Sequence, residues 1–243
     1  MLNYWIFFFL PLYFQAVQLS TPTRSGVQIL PITLIAVPGA AVGAVALAKW
    51  GKYKLLHIVG FTFLTAGIGS LAMLTAGSGT ADWVCLQILP AMGAGMVLDT
   101  LLPAFQAGVE EKDSAAAAAS WSFVRSFGNI WGVAIPGAAL NVYSGRYATE
   151  AIADATARAY LQNGDAYASA TRKFVLSFAE PTRSQIIDVF ARALRKVFLI
   201  GIAFPALALA LSLVEREVKL RTTLETEFGL EDKKKKEESG GKV

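Results

Sequence analysis

Apolar residues in this chain gather into long, nearly unbroken runs separated by short polar interruptions. Neither the alternation of a half-buried strand nor the narrow stripe of a soluble amphipathic helix accounts for such runs. A helix crossing ~30 Å of hydrocarbon does, because it needs roughly 20 predominantly apolar residues. Six runs qualify: residues 4 to 17 or 19, then 26–48, 55–76, 83–107, 115–140 and 197–214. The first starts almost at Met1. With no basic residues before it and no small-residue cleavage site after it, it reads as a span and not as a signal peptide. The pattern predicts an all-α membrane protein with six transmembrane helices.

Short connections, "STPTRS", "KWGKYK", "GSGTAD" and "EEKDS", make the first five helices an up-and-down series. Residues 141–196 differ, being polar, Ala-rich and unable to span. Within them Ile186, Phe190, Leu194 and Val197 recur at helical spacing, with Arg183, Asp188, Arg192 and Lys196 elsewhere on the wheel. That spacing predicts an amphipathic helix, either lying along the membrane surface or packing on a folded loop. The domain expectation is a half-domain of residues 1–214, including an extracellular loop at 141–196, followed by a charged cytoplasmic tail at 215–243.

Composition supports the membrane reading. Hydrophobic residues make up 54% and charged ones 16%, with mean hydropathy +0.48, whereas a soluble domain carries about 25% charged residues. One cysteine, Cys85, excludes an internal disulfide, and one histidine, His57, leaves too few ligands for zinc or haem. No cofactor, metal site or enzyme activity is expected. The net charge of +4 comes partly from the tail "EDKKKKEESGGKV", a solvated mixed-charge run that does not suggest a nucleic-acid partner. Lys49, Lys52 and Lys54 after the second run, with Arg216, Lys219 and Arg221 after the sixth, favour cytoplasmic ends. Arg183, Arg192 and Arg195 argue the other way.

Two ionisable residues lie well inside the runs: Asp99 in "GMVLDTLLPAF" and Arg125 in "SWSFVRSFGNIWGVAIPGAAL". A charge at the centre of a span costs roughly 2.5–3.5 kcal/mol, so each should face a partner, the bundle interior or a wet cavity. Counted from the "EEKDS" hairpin, they stand at similar depths, ~14 and ~17 Å, and an ion pair between them is one expectation. In one reading the pair locks two helices together. In the other, Arg125 borders a polar pathway and exchanges partners. Trp121, Arg125, Asn129 and Gly132 share a helical face, as do Asp99 and Gln106 on theirs.

Gly39-x-x-x-Gly43 and Gly128-x-x-x-Gly132 suit close helix contacts. Pro11, Pro31, Pro38, Pro90, Pro103, Pro136 and Pro205 fall inside runs, where each removes a backbone donor. In the first run Tyr4, Phe8, Pro11 and Gln15 align as an aromatic face ending in an amide, suited to a large apolar ligand or to the core.

"YWIFFFLPLYFQAVQLSTPTRSGVQILP" resembles the start of the second half of fungal fourteen-span drug:proton antiporters of the major facilitator superfamily, through Leu10, Pro11, Tyr13, Phe14, Gln15, Pro22, Ser25, Gly26, Val27, Leu30 and Pro31. "KWGKYK" resembles the basic turn of that superfamily through Lys49, Gly51, Lys52 and Lys54, although its usual acidic position is Ala48. "FVRSFGNIWGVAI" is similar to the arginine-glycine helix through Arg125, Gly128, Gly132 and Ala134, and Phe105-Gln106-Ala107 also fits.

The resemblance implies the C-terminal half of a major facilitator fold with both ends cytoplasmic. It implies a cavity lined by the first, second, fourth and fifth spans; the expected location is a membrane, the plasma membrane in preference to the vacuole. It also implies efflux of small amphipathic organic molecules against protons, with Arg125, Asp99, Gln15, Tyr13, Pro11, Trp121, Asn129 and Gln106 as pathway residues. The family's N-terminal half, with its proton-coupling motifs, is absent from this chain. Alternating access needs two halves rocking about a midplane site. The chain is therefore expected to be a truncated fragment of such a transporter, its partner a missing N-terminal half from the same gene or another chain. The alternatives are a half-size transporter working as an oligomer and a non-transporting scaffold or receptor.

Overall fold

The computed structural model describes residues 1–220, so most of the expected tail, residues 221–243, lies outside the described residues. Helix α1 (Leu2–Leu12) runs into a single widened π-turn, Tyr13–Val17. Then follow α2 (Pro22–Gln28), α3 (Leu30–Trp50), α4 (Tyr53–Leu71), α5 (Thr80–Gln106) and α6 (Ser114–Ala151). Three short helices, α7 (Ala155–Gln162), α8 (Ala166–Ser169) and α9 (Arg172–Leu176), precede α10 (Thr182–Gly201) and α11 (Ala203–Val214). No strand occurs among the described residues.

Local chemistry sets the breaks. Thr21 caps α2, its hydroxyl oxygen accepting the Arg24 backbone N–H at 3.3 Å, and Pro22 takes the first helical position, where no donor is needed. Gly51 ends α3 at φ 63°, donating to the Leu47 carbonyl at 2.8 Å. The basic turn of Lys49, Gly51, Lys52 and Lys54 is thus a left-handed helix stop followed by the first turn of α4. Pro205 has no N–H to give the Gly201 carbonyl, and α10 breaks from α11 at that turn.

Four helical stretches are long and apolar enough to cross a membrane: Pro22–Trp50, Tyr53–Leu71, Thr80–Gln106 and Thr182–Val214. The first and fifth expected spans fall outside this group. Leu2–Val17 is apolar but short. The apolar character of α6 is diluted by Arg125, Asn129 and several serines.

The region 141–196 is folded helix throughout much of its length. Helix α6 continues past Leu140 for a total of 38 residues, which at 1.5 Å per residue is ~57 Å, about twice the hydrocarbon thickness. Beyond Leu140 it packs against α10, with α7 and α8 against its far end. Ala148, Leu161, Val175 and Phe190 are fully buried there, in one continuous core with Phe9 and Leu140. The predicted stripe of Ile186, Phe190, Leu194 and Val197 is buried in that core, so the apolar side of α10 packs on protein.

Helix α5 sits between α3 and α4, with backbone nearly touching backbone on both sides. A Cβ on Gly39 or Gly43 would meet the Met92 or Met96 carbonyl at 2.9 or 2.8 Å, and one on Gly95 would meet the Ala36 carbonyl at 2.2 Å. Toward α4, Gly67 lies against Pro90 and Gly93 against Gly60 and Leu64. Only the Gly39/Gly43 pair was legible as a seam in advance. Of the second predicted pair, Gly132 is tight against the Met1 carbonyl, whereas a Cβ on Gly128 meets nothing closer than 3.9 Å.

Past α11, the chain folds back onto the start of α4. The buried His57 ring holds Glu215 through Nδ1 and Oε2 at 2.9 Å, and the Tyr53 hydroxyl donates to the Arg216 carbonyl at 3.1 Å. The same hydroxyl accepts the Val218 backbone N–H.

Candidate functional site

Helices α1, α4, α5 and α6 line an open cavity of about 310 Å³, mainly with apolar side chains and a few polar groups. Trp121, Arg125 and Asn129 reach it from α6, spaced four residues apart on the face predicted for them. Phe61 and Leu64 come from α4, so the third predicted span lines the cavity where the second was expected to, and no residue of α3 does; Val97 and Leu98 come from α5, and Asn3 and Tyr4 from α1. Asn129 Oδ1 accepts from the Met1 amino nitrogen at 2.9 Å, which joins α1 to α6. Arg125 is exposed, and no acid pairs with it among the described residues. An apolar pocket with one permanent cation and two amides, Asn3 and Asn129, suits an amphipathic organic ligand carrying an acceptor.

Asp99 is not Arg125's partner. No ion pair joins them, and Asp99 is exposed outside the cavity lining. Matching depth fixed their height along the bundle but not their direction. Leu98 and Leu101 take the positions facing the cavity, and Asp99, one residue on from Leu98, is turned about 100° away on a 3.6-residue helix.

Tyr13, Pro11 and Gln15 also lie apart from the cavity lining. Tyr13 is 1% exposed; its hydroxyl donates to the Thr75 carbonyl at 2.7 Å and accepts from Gln18 Nε2 at 3.0 Å. Gln18 Nε2 also donates to the Ser78 carbonyl at 2.7 Å. The π-turn is thereby tied to the α4–α5 loop, and Tyr13 serves packing where the sequence placed it on a pathway. The Pro11 carbonyl accepts from Ser25 Oγ at 3.2 Å, joining α1 to α2. Gln106 Nε2 donates to the Ser114 carbonyl at 3.3 Å, and Phe105 packs on Trp121 with ring centroids 5.8 Å apart. These two contacts close the α5–α6 hairpin at its end. Tyr4 and Phe8 stack at 5.7 Å and stay about two-fifths exposed, Tyr4 at the cavity lining.

Sequence reasoning missed Asn3, Phe61 and Leu64 as cavity residues. Asn3, a lone amide in the first turn of an apolar run, was a usable signal. Phe61 carried none, because an aromatic residue in a span is ordinary.

Comparison with known proteins now bears on this arrangement. The chain is 44% identical over 231 residues to "MFS-type transporter TwmF" of Talaromyces wortmannii, a match covering 95% of this chain and 42% of that protein. It is 41% identical to "MFS-type efflux transporter ffsH" of Aspergillus flavipes, with 96% and 41% covered. To "Efflux pump FUS6" of Gibberella fujikuroi it is 38% identical, with 96% and 42% covered. The chain therefore spans about two-fifths of the length of the curated relatives it matches. No family model and no solved structure matches it. The resemblance to the major facilitator superfamily is borne out by these relatives.

Proposed function

We propose that this chain, a relative of MFS-type transporters over nearly its whole length, is the C-terminal half of a proton-coupled efflux transporter for small amphipathic organic molecules. The observation that carries the reading is the match itself. Identity of 38–44% extends over almost all of this chain, and the relatives are named as transporters or efflux pumps. The α6 stripe adds a physical rationale. An unpaired guanidinium in a segment of spanning length is expensive unless a cavity or ligand receives it, and Arg125 lines an apolar cavity of ligand size.

In this reading six helices span. Leu2–Val17 and the first part of α6 cross in the company of α3, α4, α5 and the α10–α11 rod, both chain ends are cytoplasmic, and the protein resides in the plasma membrane. Arg125, Trp121 and Asn129 contact the substrate. The opposing wall comes from an N-terminal half, in the same polypeptide or another, because alternating access requires two halves.

The test uses the complete transporter. Arg125→Ala is expected to lower efflux at least tenfold while membrane abundance stays normal; efflux at the original rate rejects the site. An antibody against the C-terminal tail is expected to detect a native product about twice this size, as two halves of one chain require. A band found only near the 26.0 kDa of this chain rejects a shared polypeptide.

A further inference from the structure

A second pocket lies away from the transport cavity, where the π-turn and α2 meet the α4–α5 loop and α9. It is open, about 440 Å³ in volume, and mostly polar. Two guanidinium groups line it, Arg24 from α2 and Arg172 from the first turn of α9, far apart in sequence. Neither has an acidic partner among the described residues, and both are exposed. Gln18 and Gln28 line it too, held by the Tyr13 network, while Trp83 adds an aromatic surface. The Gln28 Oε1 is buried without a donor, although its residue borders the pocket.

A neighbouring pocket makes the contrast. It shares Ala76 and contains Arg192 and Arg195, but there Arg192 already holds Asp188 at 2.9 Å and stacks on Tyr147 with 4.8 Å to the ring centroid. One of its two arginines is thus engaged within the protein, and Arg195 has no acidic partner among the described residues. At the Arg24–Arg172 pocket the charge is unanswered, and guanidinium groups meet carboxylates through paired, charge-assisted hydrogen bonds.

We propose that the pocket between Arg24 and Arg172 is a binding site for a small aromatic organic acid, its carboxylate held by the two guanidinium groups and its ring laid on Trp83. The site is separate from the cavity around Arg125 and does not rest on the transport reading, since binding to the chain itself is measured.

The test uses the full 243-residue chain in nanodiscs of neutral phosphatidylcholine, with 5-fluorosalicylate as the probe and ¹⁹F NMR line width as the readout. Saturable binding is expected, weakened at least tenfold in Arg24→Gln/Arg172→Gln and unchanged in Arg146→Gln, an exposed arginine outside the pocket lining. The neutral analogue fluorobenzyl alcohol is expected not to bind. Absence of saturable binding, an unchanged Kd in the double variant, or equal binding of the neutral analogue overturns the proposal. Phosphatidic acid is the rival anion: its retention by the wild-type chain but not the double variant in native mass spectrometry, without fluorosalicylate binding, assigns the site to a lipid headgroup and also overturns it.

Discussion

Single side chains divide here by what answers their polar atoms. Tyr13 is fully engaged, donating to Thr75 and accepting from Gln18 in a buried place. Removing its hydroxyl leaves both partners short of a mate, a loss of about 1–3 kcal/mol. Tyr13→Phe is therefore expected to lower the thermal melting temperature of the purified chain while leaving the Arg125 cavity unchanged; an unaltered melt shows that the hydroxyl holds nothing. His57 is engaged on one side only, its Nδ1 on Glu215, while Nε2 is buried without a partner among the described residues. Glu215→Gln is expected to free the segment after α11 from α4, read as faster hydrogen exchange at Val218, whose N–H the Tyr53 hydroxyl holds. Unchanged exchange there rejects the strap. Arg125 is the opposite kind of residue, charged and unanswered within the chain. Its need for a polar setting was legible from one charge in an apolar run, but the lack of an acidic partner among the described residues was not. Depth follows from counting residues, whereas direction around a helix depends on how α5 is turned against its neighbours.

Elements were legible where apolar runs coincide with helices and obscure where they do not. Helices α3, α4 and α5 match their predicted runs closely because the bilayer demands length and apolarity together. Helix α6 outruns its apolar stretch. Past Leu140 it is sustained by packing on α10 and α7, which a hydropathy pattern does not register. The seams are a similar case. A small-xxx-small pair announces a close contact but not its partner, and Gly95, the tightest of the three at the α3–α5 seam, lies outside any such pair in the sequence reading. Gly95→Leu is expected to force α3 away from α5 and to cost about 1–3 kcal/mol or more, as overpacking does. Gly26→Ala, with nothing within 4 Å of its Cβ, is the matched control. Equal melting temperatures for the two variants refute the seam.

At the scale of the whole molecule, large apolar side chains remain exposed on many helices, among them Leu34, Val37, Val45, Phe123, Ile130 and Leu211. Patches of this extent are foreign to a soluble surface and suit lipid or a partner. The chain is expected to stay in the membrane pellet through alkaline carbonate extraction, and release into the supernatant contradicts integral insertion. Packing is also uneven across the bundle. Helices α3, α5 and α4 meet backbone to backbone, whereas α5 meets α6 less extensively, with Phe105 on Trp121 and Gln106 on Ser114 near the hairpin. Mechanically, the glycine seams weld three helices into a stiff panel, and the cavity around Arg125 opens along the looser joint between that panel and the α1–α6 pair. A shift of the α1–α6 pair against that panel would therefore reshape this cavity while leaving the glycine seams intact.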